Sequence, residues 1–420
     1  MAFVIKFVKG VRNHWKKSSF AAIALAYGAN YAKEYYDIQE LMKNYCKEAV
    51  AYGKAPIALH EAPRRVTIIL NPNANKRKAI KEYEKYCAPI LNLAGVYVDV
   101  MQTNSEGHAK TLVDSLADTD AVIVAGGDGT LSEVITGLMR RSETDKVYLP
   151  IGVLPLGKTN TIGKSLFPGG SYLQNVRTLA DASLAIVKEK TKPMDVMKIE
   201  VLEDENLKGK TVYAVSSIEW GPYRNARVKK DKYWYFGPLR KYATYLFNGL
   251  NNLSSNCKAH LLYTLPCEGC INCVMVPKVT ETARWYHKFL PHRKQKPQEN
   301  VPKTKNELCE QIFQTDVSTS DFAVATTNTV HNFDQLPQLT INLGPSSVDY
   351  FNFVSQGWLS ENGGKRNINN TIQARQIEIV PNDDIIKNAQ CFSIDNEEFE
   401  VKPIKIMLLP KAVSMFCKVN

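Results

Sequence analysis

Acidic residues are missing from the start of the chain. None precedes Glu34, while Lys6, Lys9, Arg12, Lys16, Lys17 and Lys33 all lie before it. These six account for more than half of the net charge of +11, leaving about +5 on the rest. That remainder is too small for a nucleic-acid-binding surface, and no nucleic-acid-binding module is visible, so no nucleic-acid partner is expected. The chain also lacks a membrane-length apolar stretch at its start. Phe20–Gly28 is the apolar run there, against the roughly 17–25 residues that a spanning helix needs. Histidine is sparse, at seven dispersed residues, and shows no metal-ligand or catalytic-triad spacing. The nine cysteines are an odd number and scattered, which excludes a dense secreted disulfide scaffold. No internal repeat is present, so a solenoid is excluded.

What is present describes a globular protein of two domains, with 44% hydrophobic residues and 20 tyrosines in 420 positions. Val4, Val8, Val11 and Trp15 recur at helical spacing, with Lys6, Lys9 and Arg12 between them. Followed by Phe20–Gly28, this reads as a membrane-targeting segment over 1–33: a basic amphipathic helix leading into a short anchor. Such a start suits mitochondrial import and anionic membrane surfaces. A helix that simply packs on the body is the competing reading. A helix and linker are expected over 34–65.

Over 66–192 strands alternate with helices. Val66–Leu70, Val96–Val100, Ala121–Val124 and Ile151–Leu154 read as strands, and 76–93, 106–116, 131–139 and 171–187 as helices. This alternation predicts a parallel α/β domain whose ligands gather at the carboxyl ends of the strands. From 193 to 420 short β-like segments dominate: Val196–Val201, Thr211–Ser216, Ala259–Tyr263, Phe322–Thr326, Gln338–Leu343, Gln376–Val380, Phe392–Ile394 and Ile404–Leu409. The expected fold class is thus α/β, with an N-terminal parallel domain followed by a β-rich, antiparallel, sandwich-like domain. An insertion is expected around 264–310, where prolines, lysines and cysteines crowd.

The sharpest motif is Gly126-Gly127-Asp128-Gly129-Thr130, with Glu133 in the helix that follows. Adjacent glycines after a buried strand turn the backbone tightly and offer N–H groups to an anion. The start of the next helix adds a positive dipole end. Asp128 repels phosphate, which leaves it magnesium coordination or acceptance of a proton. Gly152–Thr159 formally matches the P-loop pattern, but its interior of Val153, Leu154, Pro155 and Leu156 is bulky and includes a residue with no N–H. Cys267-x-x-Cys270-x-x-Cys273 invites a zinc reading that needs four ligands. No second such pair exists, though Cys257 or Cys309 could complete it, and an irregular insertion is the preferred reading. Arg284–Leu290, basic and aromatic, reads as an ordinary packed helix.

Asn71-Pro72-Asn73-Ala74, then GGDGTLSEV, then Pro155-Leu156-Gly157-x-x-Asn160 resemble in order and spacing the nucleotide-binding motifs of the diacylglycerol and sphingosine kinase superfamily. Trp220-Gly221-Pro222-Tyr223-Arg224-Asn225-Ala226 resembles the lipid-side motif, and Ser393-Ile394-Asp395-Asn396-Glu397 the C-terminal aspartate-glycine-glutamate motif. Arg12–Lys17 and Lys232–Leu239 resemble the acylglycerol kinases in particular. The resemblance implies transfer of the ATP γ-phosphoryl group to a hydroxyl of monoacylglycerol or diacylglycerol, with Mg2+. In that picture Asn71, Gly126, Gly127, Gly129, Thr130, Glu133, Gly157 and Asn160 hold the nucleotide. Asp128, Asp395 and Glu397 supply carboxylates for metal and proton, and Trp220, Gly221 and Asn225 face the lipid. Lys229, Lys232, Arg240 and Lys241 are candidates for charge neutralisation. It implies further a mitochondrial inner-membrane location, on the intermembrane-space side, with membrane association through the N-terminus. The family is associated with a carrier-import complex, whose subunits become candidate partners and whose assembly is the competing function. Three departures stand out: Lys158 and Thr161 flank Asn160 where threonine and aspartate are usual, Asn396 replaces glycine, and Asn225 replaces an amine-reading aspartate. The last favours a neutral glycerolipid over an amino-lipid.

Overall fold

The computed structural model describes residues 14–56, 63–116, 118–145, 149–168, 172–202, 211–250, 253, 257–267, 270, 306–329, 336–382 and 391–418. Val4 to Arg12, Cys273 and Arg284–Leu290 lie outside these. The chain divides into two compact units: Met1–Leu131, Leu149–Lys192 and Met415–Asn420 form the first, and Ser132–Tyr148 with Pro193–Ser414 the second.

The first unit opens on one long helix, α1 (Trp15–Gly53). It runs through the boundary at 33–34 without interruption and ends where the linker was expected. Its two halves differ in surroundings. Phe20, Ile23, Leu25, Tyr27 and Tyr31 are exposed, whereas Ile38 and Ala49 are buried. Leu41, Met42, Tyr45 and Cys46 pack around Ala49, Ile90 and Ala180, and the Tyr45 hydroxyl donates to Asp181. Among the described residues no helix is long and apolar enough to cross a membrane.

Strand β1 (Arg65–Leu70) is a β-branched run buried from Val66 onward. It lies between β2 (Tyr97–Gln102) and β3 (Ala121–Gly126), with β4 (Ile151–Pro155) beyond β3. All these pairs are parallel, in register Val66↔Val98, Val66↔Ala121 and Val122↔Ile151. The order 2-1-3-4 reverses direction at β1, so the loops leaving β1 and β3 flank a topological switch point, the usual binding crevice of such sheets. Helices α2 (His108–Asp114), α3 (Asp128–Asp145), α4 (Thr161–Leu166) and α5 (Tyr172–Lys188) follow the strands. The single helix predicted over 76–93 is instead broken. Asn75, Lys76 and Arg77 adopt left-handed φ of 49°, 56° and 66°, and a π-turn occupies Tyr83–Cys87.

The second unit is antiparallel, beginning with β5 (Thr191–Val201) paired to β6 (Val212–Ala214). β8 (Cys257–Thr264) pairs with β9 (Ile312–Thr319) and with β13 (Gln376–Pro381), which pairs with the last strand, β16 (Ile404–Phe416). A six-stranded sheet runs in the order β12-β11-β10-β7-β14-β15, comprising Asn370–Ala374, Leu339–Leu343, Phe322–Ala325, Ser217–Trp220, Cys391–Ile394 and Glu397–Glu400. Both sheets feed one core, with Leu261, Ile377 and Ile406 from the first and Trp220, Ile341 and Phe392 from the second. The unit also holds helices that no strand-like pattern announces: α6 (Pro222–Val228), a 3-10 stretch (Lys229–Leu239), α7 (Arg240–Gly249) and α8 (Tyr350–Glu361). The three α-helices share a small core of Tyr223, Tyr245, Phe353 and Val354. Gly357 lets α7 and α8 approach, since a Cβ there would lie 2.3 Å from the Tyr245 ring.

Candidate active site

In the first unit three strand-end loops are tied together. Asn71, at the end of β1, donates from Nδ2 to the Thr130 hydroxyl in the first turn of α3, at 3.1 Å. Its Oδ1 accepts the Asn73 N–H, which shapes the turn. Gly127 and Gly157 meet backbone to backbone: a Cβ on Gly157 would sit 2.2 Å from the Gly127 Cα. Asn160 closes its own loop, accepting from the Gly157 N–H at 3.0 Å and donating to the Gly157 carbonyl at 2.8 Å. Gly126, Gly127, Gly129, Thr130, Gly157 and Asn160 therefore lie in one place, with Asn71 beside them.

Asp128 is the knot of this arrangement. It is 4% exposed. One carboxylate oxygen accepts the Thr161 N–H at 2.7 Å and the other the Thr161 hydroxyl at 3.0 Å, while its own N–H donates to the Thr159 carbonyl. Thr161, a departure from the superfamily pattern, is thus the residue that meets Asp128. The carboxylate also caps α4 at its first N–H, a favourable place for negative charge.

Two more features emerge from the geometry. Gly152, required by the P-loop match, lies inside β4, where a Cβ would strike Ile123 at 2.4 Å. It is a packing glycine, and the P-loop reading fails. Lys76, Arg77 and Lys78 are exposed just beyond Asn71. Sequence reasoning passed over these three consecutive cations by placing them in a helix. Glu133 lies in the second turn of α3.

In the second unit the Asp395-Asn396 pair forms the turn between β14 and β15, with φ of 46° and 69°. Left-handed φ at both turn positions is what a tight hairpin needs, and asparagine tolerates it where a glycine is otherwise usual. The Asp395 carboxylate accepts three backbone N–H groups, from Val215 at 2.8 Å, Ser216 at 2.9 Å and Ser217 at 3.0 Å. Glu397 opens the returning strand. Trp220 ends β7 with its ring 1% exposed, edge-on to Phe322 and Phe392 at 6.1 and 5.3 Å, so its surface is spent on the core. Gly221 has φ 127°, and a Cβ there would meet the Ser320 carbonyl at 2.7 Å. Asn225 accepts from Arg224, whose buried guanidinium also reaches Glu398 at 2.7 Å. Burial pulls the Arg227 guanidinium below its usual pKa. The charged pairs Arg224–Glu398 and Arg227–Glu219 were not anticipated. In the register Glu219 and Glu398 both stand opposite Ser393, a sign visible only once the strands are paired.

Comparison with known proteins now bears on these motifs. Residues 65–199 match the diacylglycerol kinase catalytic domain and residues 215–420 the acylglycerol kinase C-terminal region. The chain is 33% identical to the mitochondrial acylglycerol kinase of Homo sapiens over 98% of its length and 96% of that protein's, and 33% identical to that of Xenopus laevis over 99% and 96%. The chain belongs to the acylglycerol kinase family. As a family member it is an ATP-dependent lipid kinase, and the residues of the two sites described above fall within the two matched regions. A diacylglycerol kinase structure from Bacillus anthracis shares the fold, with a TM-score of 0.50 at 16% identity, covering 84% of this chain and 97% of that one.

Proposed function

We propose that the protein transfers the γ-phosphoryl group of ATP to a free hydroxyl of monoacylglycerol or diacylglycerol, giving lysophosphatidic or phosphatidic acid. The observation that carries this is the junction of three strand-end loops at Asn71–Thr130, Gly127–Gly157 and Asp128–Thr161. Phosphoryl transfer asks little covalent chemistry of a protein; positioning and charge neutralisation are the work. The first-turn N–H groups of α3 at Gly129 and Thr130 have no partner within their own helix and favour phosphate oxygens. Asn71 and Asn160 hold the loops that frame them. Lys76, Arg77 and Lys78 add positive charge at the same edge.

The residues fit a magnesium ion. Mg2+ takes oxygen ligands, commonly one or two carboxylates together with substrate phosphates and waters. Asp128 would supply a carboxylate oxygen of the kind this ion takes, and the ion would neutralise charge on the transferring phosphoryl group. Asp395 has three backbone donors on it, so its larger part is to hold Val215–Ser217 in place. Glu397, two residues on, is the second unit's further carboxylate for metal or proton. Gly221 and Asn225 are assigned to the lipid side, where the uncharged Asn225 amide suits a neutral glycerolipid.

We further assign the protein to mitochondria, at the inner membrane facing the intermembrane space, held there through its N-terminal helix. The exposed apolar half of α1, preceded by Lys16 and Lys17, supports the assignment. Labelled ATP offered with monoacylglycerol, diacylglycerol, ceramide or sphingosine tests the activity. Label should enter the two glycerolipids and be absent from sphingosine. Exclusive labelling of sphingosine would overturn the substrate assignment, and label in none of the four would overturn the kinase reading.

A further inference from the structure

The sulfur atoms of Cys267, Cys270 and Cys309 all lie within 4.8 Å of one another. Strand pairing explains why residues so far apart in sequence meet. β8 and β9 pair antiparallel, ending at Thr264↔Ile312. Extending that register by three positions on each strand places Cys267 opposite Cys309. Cys270 is one C-x-x-C step further, and it and Cys309 are 2% and 6% exposed.

Two donors turn towards these sulfurs. Asn306 reaches Cys267 Sγ from Nδ2 at 3.4 Å. Arg375, anchored by its N–H to the Thr264 carbonyl, reaches Cys309 Sγ from its guanidinium at 3.7 Å. N–H donors directed at sulfur are the outer partners that a metal-bound thiolate keeps. Three thiolates are soft ligands, suited to tetrahedral zinc. With Zn–S bonds of ~2.3 Å, neighbouring sulfurs in a tetrahedron stand about 3.8 Å apart, a small contraction of the present cluster.

We propose that Cys267, Cys270 and Cys309 bind a zinc ion, with the fourth position taken by water or a further donor. Binding releases the thiol protons to solvent, so affinity rises with pH. The ion ties Cys267 and Cys270, which follow β8, to Cys309, which precedes β9. Its role is structural, at the edge of the β-rich unit, and none of the phosphate-loop residues belongs to it.

The test uses the full chain purified under reducing, chelator-free conditions. Metal analysis should find one zinc per chain. Cys267→Ser and Cys309→Ser should each lower zinc content at least tenfold, and Cys391→Ser should leave it unchanged. Should the serine variants fail to fold, the wild-type protein still decides the matter. Cys267, Cys270 and Cys309 should resist alkylation until a chelator is added, and cobalt replacing zinc should produce a thiolate charge-transfer absorption. Zinc-free protein in which the three thiols alkylate freely without chelator would overturn the proposal, as would recovery of a disulfide among them or of an iron–sulfur chromophore.

Discussion

Asp128 carries a structural and a chemical duty at once, and substitution can separate them. In Asp128→Asn the remaining oxygen still accepts the Thr161 N–H, and the Thr161 hydroxyl can turn to accept from the new amide. The fold should therefore hold, with little change in melting temperature, while loss of the anion removes the metal or proton function. Lipid phosphorylation should fall by about 10²–10⁴-fold, the usual worth of a positioned acid or base. Thr161→Val keeps the N–H and the charge but deletes one hydrogen bond, costing about 1 kcal/mol; its activity should fall far less. An Asp128→Asn protein with full activity would remove this residue from the chemistry. The neighbouring loop allows a second comparison. Gly157→Ala drives a methyl into Gly127, whereas Lys158 is exposed. Activity measured at saturating lipid should drop sharply for Gly157→Ala and modestly for Lys158→Ala. The reverse order would restore Lys158 as a phosphate ligand.

At the scale of elements, the strands that end in glycine or asparagine were legible because two signals coincide: a β-branched run that must be buried, and a turn residue that stops it. β1, which stops before Asn71, and β3, which ends at Gly126, are of this kind, and β4 ends in the same way at Pro155. The contact between Gly127 and Gly157 was not legible, because it joins two loops thirty residues apart and leaves no periodic trace. The helical segment over 222–249 was hidden for another reason. Its prolines, glycine and clustered aromatics read as irregular, yet Tyr233 stacks on Phe247 at 5.6 Å and draws the 3-10 stretch onto α7. The break after Asn75 was masked by good helix formers; tertiary context overrode their propensity. The segment beyond it makes a prediction of its own. In the π-turn, complete burial pushes the Cys87 thiol up to about 12, against roughly 8.5 in an unfolded chain. The folded state holds this proton more tightly, so the contribution to stability is complete below pH 8.5 and is lost as pH climbs towards 12. Denaturant unfolding followed from pH 7 to 10.5 should show stability falling above pH 8.5. In Cys87→Ala that decline should be shallower, from a lower starting value. An unchanged slope would mean Cys87 ionises as readily in the folded protein as in the unfolded one.

For the whole molecule, α1 sets the question of how much of the N-terminus belongs to the enzyme. Its exposed half carries the apolar residues and its later half the packing, so two truncations should behave differently. Removing residues 1–33 takes away Phe20, Ile23, Leu25, Tyr27 and Tyr31 with all six early cations, but leaves Ile38, Leu41, Tyr45 and Ala49 on the first unit. That protein should fold and phosphorylate detergent-dispersed lipid. It should no longer remain with membranes after a salt wash. Residual binding at low salt is expected from the second unit, where exposed Trp234, Tyr235, Leu239 and Leu250 lie in a segment bearing Lys229, Lys232, Arg240 and Lys241. Each cation near an anionic surface adds on the order of 1 kcal/mol, which salt removes. Removing residues 1–53 instead uncovers Ile90 and Ala180 and strips the Tyr45–Asp181 hydrogen bond. At 1.5–3 kcal/mol for each large buried apolar side chain, the loss is on the order of 5 kcal/mol, most of a typical domain's stability. Circular dichroism melting of the two proteins, read beside membrane fractionation and activity on dispersed lipid, separates the roles. A 1–33 deletion that folds but is inactive on dispersed lipid would make the exposed half of α1 part of the catalytic apparatus. A 1–53 deletion that melts like the full chain would show that the packed half contributes nothing to stability.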